Sequence, residues 1–456
     1  LEALLVGAAY LLCGGVWQRA TLYVLAATAP LEIYRTAVAK VDVSLFRLSL
    51  LMALVVLAVT TPKRLAIVRR WARHPLVLSY AGLVLVTLVA LVVHPINTFL
   101  GEREAAQIAI GIVALAMTAE LVRRESLERA AGALVVGSAL PILAASWQAI
   151  GPRVAGTGAL PLLDRLPAAQ GLEITRQALS SFGPIGARAK GTFGDPDHFG
   201  VYLIFVVCAA LALAVLATQR GNRRGQISFA AMASAASAAL VATYSRSAWV
   251  GAVVGVLITS AGIVNLWRSG RLRAPSRPVA MAILLGAVAV SIAIAPSVVE
   301  RIAPSSAINV VSNREHASTV RFAFDQFVDH PVLGIGPGGL GVKLKLPPRT
   351  SGASSTYLSV AAQVGIFGLL ALLAAAAIVA LISIGAYRAL RGAPQQILIL
   401  GLGGAYAGFA AANVTYDVWF DDFHWLILGA MAGLSAIVGS SDTTSQASAN
   451  RGAECT

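Results

Sequence analysis

The chain has 456 residues, 57% of them apolar and only 12% charged, with a mean hydropathy of +0.76. Soluble globular domains carry about 25% charged residues, so this composition excludes that class and points to a polytopic helical membrane protein. The net charge of +14 then divides between anchors on one membrane side and something anionic on the other, and no nucleic-acid partner is expected.

In chain order, apolar runs able to span lie near 3–31, 43–60, 76–94, 103–121, 129–150, 198–217, 227–244, 247–266, 278–296, 356–386, 395–413 and 422–440. The pattern predicts about twelve transmembrane helices. The first run is interrupted by "CGGVWQRA", which leaves one crossing or two short segments open. Short loops at 61–75, 122–129, 219–226, 267–277 and 387–394 are rich in arginine or lysine and share one side if each run crosses once. The positive-inside rule makes that side cytoplasmic.

Both termini then lie inside, and two longer segments, 151–197 and 297–355, face outwards. A single membrane domain is expected over 1–440, with a disordered cytoplasmic tail over 441–456. The first residues lack a basic stretch and a small-residue cleavage site, so no cleavable leader is expected. Cys13, Cys208 and Cys455 form no CxxC or Cys/His spacing, so neither a disulfide framework nor a metal site is expected.

The outward segments carry Arg153, Arg165, Arg176, Arg188 and Lys190 in one, and Arg301, Arg314, Arg321, Lys343, Lys345 and Arg349 in the other. In "RAKGTFGDPDHFG" (188–200), Asp195 reads as a helix N-cap and Pro196 as the first helical residue. Gly191 and Gly194 would let an anion approach the amides of that helix start, with Arg188 and Lys190 supplying charge. An interfacial arginine reaching lipid headgroups is the plainer alternative.

In "TYSRSAWVG" (243–251), Arg246 stands where two apolar runs meet almost without a linker. Arginine costs about 2.5–3.5 kcal/mol at mid-membrane on insertion scales, and a tight turn needs none. Ser245 and Ser247 can cap the second helix, and Tyr244 and Trp249 suit an aromatic belt.

"STVRFAFDQFVDHPVLGIGPGG" (318–339) starts as an amphipathic helix. Phe322, Phe324, Phe327 and Val328 fall on the membrane plane, and Arg321 and Asp325 on a polar edge. "GIGPGG" breaks that helix and turns the chain; it follows no strand, so a dinucleotide fingerprint fails. His330, before Pro331, reads as a structural cap. Guanidinium suits bidentate contact with phosphate. Three arginines from three outward segments thus point to a polyprenyl diphosphate.

With "RAKGTFGDPDHFG", "TYSRSAWVG", "RFAFDQFVDHPVLGIGPGG", "STYLSVAAQVGIFGLL" and "FDDFHWLILGAMAGL" in this order over residues 180–440, the chain resembles the O-antigen ligase and polymerase superfamily of bacterial membrane glycosyltransferases. The resemblance implies an all-α, GT-C-like polytopic fold in the cytoplasmic (inner) membrane. It implies inverting transfer of glycan from an undecaprenyl-diphosphate-linked donor to a hydroxyl of a glycan, lipid or protein acceptor. The reaction would run at the outer face, without metal or cofactor. On this resemblance Arg188, Arg246 and Arg321 hold the diphosphate and stabilise it as it leaves, with Lys190, Gly191, Tyr244 and Tyr357 around the donor.

One motif departs from the family. Its ligases usually carry a His-Asn pair before the "xYL" helix start, where this chain has Ser354-Ser355-Thr356-Tyr357-Leu358, and Gln363 where a glutamate often follows. Serine at neutral pH cannot abstract a proton as imidazole does. Asp195, Asp197, His198 and His316 are the candidates for the base, with Glu315, Asp421, Asp422 and His424 as further outward groups. Helix capping or a solvated charge is the plainer reading of each. The departure leans towards a polymerase or a non-standard ligase. A membrane transporter of a small anion is the alternative; the scarcity of ionisable residues within the predicted spans favours an interfacial enzyme.

Overall fold

The computed structural model describes residues 16–31, 36–38, 41–61, 64–96, 98–154, 188–272, 307–344, 354–418 and 421–453. The expected span at 278–296, the start of the first apolar run, and Arg165, Arg176, Arg301, Lys345 and Arg349 lie outside these residues.

The described chain is helical apart from a small antiparallel hairpin, β1 (Thr36–Val38) with β2 (Val41–Val43), in which Ala37 faces Asp42. The helices up to residue 154 are α1 (Trp17–Thr28), α2 (Leu45–Thr60), α3 (Arg64–Ala72), α4 (Pro75–Val93), α5 (Thr98–Glu125), α6 (Leu127–Gly137) and α7 (Ala139–Val154). From residue 196 they are α8 (Pro196–Gln219), α9 (Arg223–Ala242), α10 (Arg246–Arg268), α11 (Ala307–Asp329), α12 (Gly339–Lys343), α13 (Thr356–Ala389), α14 (Gln396–Ala412) and α15 (Asp422–Ala453).

Among the described residues, seven helical stretches are long and apolar enough to cross a membrane. They coincide with the runs read from the sequence at 76–94, 103–121, 129–150, 198–217, 227–244, 247–266 and 356–386. Shorter apolar helices cover 45–59, 396–412 and 422–438. The protein is thus an all-α polytopic membrane protein. The last helix runs on to Ala453, through the stretch expected as a disordered tail.

Helix α8 is apolar on every side and buried along most of its length, because α6, α9, α10 and α14 pack around it. Between α10 and α14 the contact is backbone on backbone. A Cβ on Gly251 would stand 2.5 Å from the Gly408 carbonyl oxygen, and one on Gly404 would stand 2.8 Å from that of Gly255. Lipid offers no hydrophobic drive to bring helices together, so small residues that permit close approach carry such a seam.

Helix α13 is broken at Gly365, where φ is 76° and ψ is −167°. The 331–336 turn fills the break. Ile335 N–H donates to Ala362 O (2.8 Å), Gly336 N–H to Gln363 O (3.0 Å) and Ile366 N–H to Pro331 O (2.8 Å). Backbone groups that the helix can no longer pair are satisfied by the turn after α11.

One end of the bundle gathers the basic loops. Buried Glu120 accepts from Arg123 (2.7 Å), Arg124 (2.8 Å), Arg70 (3.2 Å) and the Trp71 indole (3.2 Å). Arg220 pairs with Glu128, Arg19 with Glu125, and the His74 ring meets Ser435 at 3.0 Å. The loops at 61–75, 122–129 and 219–226 therefore do share a side, as the charge pattern predicted.

Candidate active site

The opposite end holds the candidate residues. Asp195 caps α8 by accepting from Asp197 N–H (2.6 Å), and Pro196 occupies the first turn. Arg188 lies against the turn between α9 and α10. Its Nε donates to Thr243 O (2.8 Å), its Nη2 to Asp197 Oδ1 (2.7 Å), and Ala189 N–H bonds Ala242 O (2.9 Å). Burial would lower the Arg188 pKa, but the charge and hydrogen bond of Asp197 outweigh it and the value is raised. Burial lowers that of Lys190.

On that same turn Ser245 caps α10 by accepting from Ala248 N–H (3.3 Å), as its position suggested. Arg246 follows as the first helical residue. It is half-buried and makes no hydrogen bond or ion pair with any described residue. Tyr244 takes a left-handed backbone (φ 52°) and is buried, with its ring 6.4 Å from that of Trp249.

The amides of Lys190 and Gly191 are satisfied from within the chain. Gln148 Oε1 accepts from Lys190 N–H (2.9 Å) and Gly191 N–H (2.8 Å), and its amide donates to Gly191 O (2.9 Å). Gly191 has φ 59°, and a Cβ there would meet Pro141 O at 2.9 Å. Glycine at this position suits the clamp, since any side chain would crowd that carbonyl. The signal for Gln148 was a lone amide near the outer end of an apolar run, and its partners lie more than forty residues on.

Arg321 comes from α11, which packs on α13. Ala323 is buried with Ile335, Leu340 and Ala362, while Arg321 is exposed and makes no hydrogen bond or ion pair with any described residue. The apolar face foreseen on this helix splits: Phe322 packs inwards on that cluster, whereas Phe324 and Val328 are exposed. Three residues after His316, Thr319 meets Ser354 hydroxyl to hydroxyl at 2.8 Å. Gln363, where the family often has glutamate, accepts from Gly338 N–H (2.6 Å).

The start of α13 ties this helix to the rest. Thr356 reaches Asn413 and Asp417 (3.1 Å to Oδ1), and Asn413 Oδ1 accepts from Val418 N–H (3.2 Å). The turn between α14 and α15 thereby faces α8. The His198 Nδ1 lies 2.8 Å from Asp421 Oδ2, and its ring stands edge to face with Tyr416 at 5.9 Å. Burial, then the charges of Asp195 and Asp197, push the Tyr416 phenol well above its ordinary pKa. Burial raises the Asp417 carboxyl against hydrogen bonds from Ser359 and Thr356 that lower it. Tyr357 donates to Ala410 O (3.1 Å) and, with Thr356, Tyr406, Asn413 and His424, lines a cavity of about 20 Å³, room for roughly one water.

Arg188, Asp195, Asp197 and His198 thus form one cluster with Tyr416, Asp417 and Asp421, and Arg246 adjoins it through the Thr243 turn. Arg321 and His316 stand on α11, connected through Ser354 and the start of α13. Among the described residues no cluster of three or more His, Cys, Asp or Glu is arranged to hold a metal ion.

Residues 227–373 match the family model described as O-antigen ligase. That stretch is similar to the O-antigen ligase family. That segment runs from α9 into α13 and contains Tyr244, Arg246, His316, Arg321 and Tyr357; Arg188, Lys190, Gly191, Asp195, Asp197 and His198 precede it. The match supports the O-antigen ligase/polymerase superfamily, and with it an enzyme that transfers glycans in a membrane setting, over a shorter stretch than the sequence motifs marked out. No curated protein matches the chain.

Proposed function

We propose that the protein transfers or polymerises glycan from an undecaprenyl-diphosphate-linked donor onto an acceptor hydroxyl at the outer face of the bacterial cytoplasmic membrane. The observation that carries this reading is Arg246. It lies in the O-antigen ligase segment at the junction of two membrane helices, half-buried, with no described acid to neutralise it. A half-buried cation without an acid is poised for an anion, and Arg188, paired with Asp197, lies against the same turn.

In the reaction, the acceptor oxygen attacks the anomeric carbon, the bond from that carbon to the diphosphate oxygen breaks, and the electron pair leaves with the diphosphate. Fixed guanidinium groups stabilise charge as it grows on the leaving group, and a shared membrane edge supplies proximity. In this reading Arg321, on α11, is the third diphosphate-binding arginine, and the exposed Phe324 and Val328 on that helix suit a lipid boundary.

The test uses cells lacking this protein, complemented with wild type or Arg246→Ala at matched membrane levels. Lipid-linked and surface glycan are quantified by mass spectrometry. Accumulated lipid-linked donor with missing surface product supports the reading, and product length separates polymerase from ligase. Unchanged pools in the deletion strain sink it and favour a transporter.

A further inference from the structure

We infer that His198, held from behind by Asp421, is the base that takes the proton of the acceptor hydroxyl. The inference rests on the glycan-transfer reading above. It concerns residues outside the matched segment, in a chain that has serine where the family's ligases usually carry histidine.

The geometry is that of a part-open imidazole in ion-pair contact with a buried carboxylate. Nδ1 lies 2.8 Å from Asp421 Oδ2, the aspartate side chain is 7% exposed, and the imidazole keeps 27% of its surface open. A carboxylate that close to Nδ1 stabilises the imidazolium that forms when Nε2 takes the proton.

The two residues come from the first turn of α8 and the residue before α15, and both are locked. Phe423 packs on Tyr202 (5.4 Å) and Phe193 (6.0 Å), Phe193 on Phe199 (5.5 Å), and Asp422 accepts from Ser44 (2.9 Å). His198 directly follows Asp197, the partner of Arg188, so base and diphosphate-binding cation share one turn.

The acids around His198 are engaged with other partners. Asp197 is spent on Arg188 and Asp195 on its cap. Asp417 is bonded to Thr356, and His316 stands on α11. The groups facing His198 are Asp421 and Asp417 from the last turn, the edge-on Tyr416 ring, and the Arg188–Asp197 pair. In the step, the acceptor O–H bond breaks towards Nε2 while oxygen bonds to the anomeric carbon, and the diphosphate departs with the electron pair of the broken C–O bond.

The test uses membranes holding the full chain, with undecaprenyl-diphosphate-linked glycan extracted from cells lacking the protein as the probe. Released undecaprenyl diphosphate is measured per molecule of protein. His198→Gln is expected to lower kcat at least ~100-fold with the donor KM unchanged. Asp421→Asn should lose at least ~10-fold in kcat, partly regained by Asp421→Glu. Added imidazole should restore turnover to His198→Gly. A wild-type kcat in His198→Gln removes the base and leaves the glycan-transfer reading standing. A loss in His198→Gly that imidazole does not repair, with kcat and KM shifting together, makes His198 structural and overturns the inference. Wild-type membranes that turn over no donor remove the underlying reading itself.

Discussion

Arg188 and Arg246 serve the same turn in opposite electrical states: one is tied to Asp197 and a carbonyl, the other has no described partner. If Arg246 grips phosphate through its planar fork, lysine cannot replace it. Both Arg246→Lys and Arg246→Ala should lower turnover ~100-fold or more, measured as released polyprenyl diphosphate. Full activity in the lysine variant would reduce the requirement to simple charge.

Asp417 gives a pH test at the same scale. Its carboxyl is raised by burial, so the folded chain binds that proton more tightly than the unfolded chain. The stabilisation is complete below the unfolded carboxylate value of about 4 and drains away as pH rises through the folded value. Asp417→Asn keeps an acceptor for Thr356 without the titration. Its heat-unfolding midpoint should gain on wild type as pH climbs from acid to neutral; a gap constant with pH would rule the buried charge out as the cause. The Asp195 and Ser245 caps were legible in the sequence because a cap bonds its own next turn. Gln148 and the Asp421–His198 contact were not, because their partners are set by how distant helices pack.

Among the elements, α13 depends on a position that no local rule marks. Gly365 sits in "QVGIFG" with nothing to distinguish it from the glycines around it, yet a Cβ there would meet Val332 O at 2.1 Å. The left-handed backbone alone costs alanine about 1–3 kcal/mol. Gly365→Ala should therefore lower the unfolding midpoint and open the 331–338 turn to proteolysis. Gly385→Ala, in the same helix with nothing within 4 Å of its Cβ, should be neutral or stabilising. Equal behaviour of the two variants would show that the turn does not fill the break. The turn chemistry of "GIGPGG" could be read; what it fills could not, since that needs the neighbouring helix.

For the whole molecule, hydropathy is a property of composition, so the runs that became the seven long helices were readable before any packing was known. Helices α2 and α14 are slightly shorter than the runs suggested, because caps and turns trim their ends. Sidedness follows from charge and has a direct check. With Cys13 and Cys455 replaced by serine and buried Cys208 kept, Val414→Cys should react with an impermeant thiol reagent on intact spheroplasts. Arg391→Cys, at the basic end, should react only after lysis. The reverse result would turn the arginines to the cytoplasm and end the outward-facing reading.

The glycine seam between α10 and α14 also decides where a lipid can pass. Backbones as close as Gly251 to Gly408 leave no gap for an alkyl chain, so that flank of Arg246 is a wall. The other flank of α10 shows Val250, Val253 and Leu257 to the surroundings, 58%, 58% and 63% exposed, one above another at helical spacing. On the proposed function, a donor whose tail stays in the bilayer would meet Arg246 by sliding up that greasy rail, headgroup first, and its spent carrier would back out along the same track.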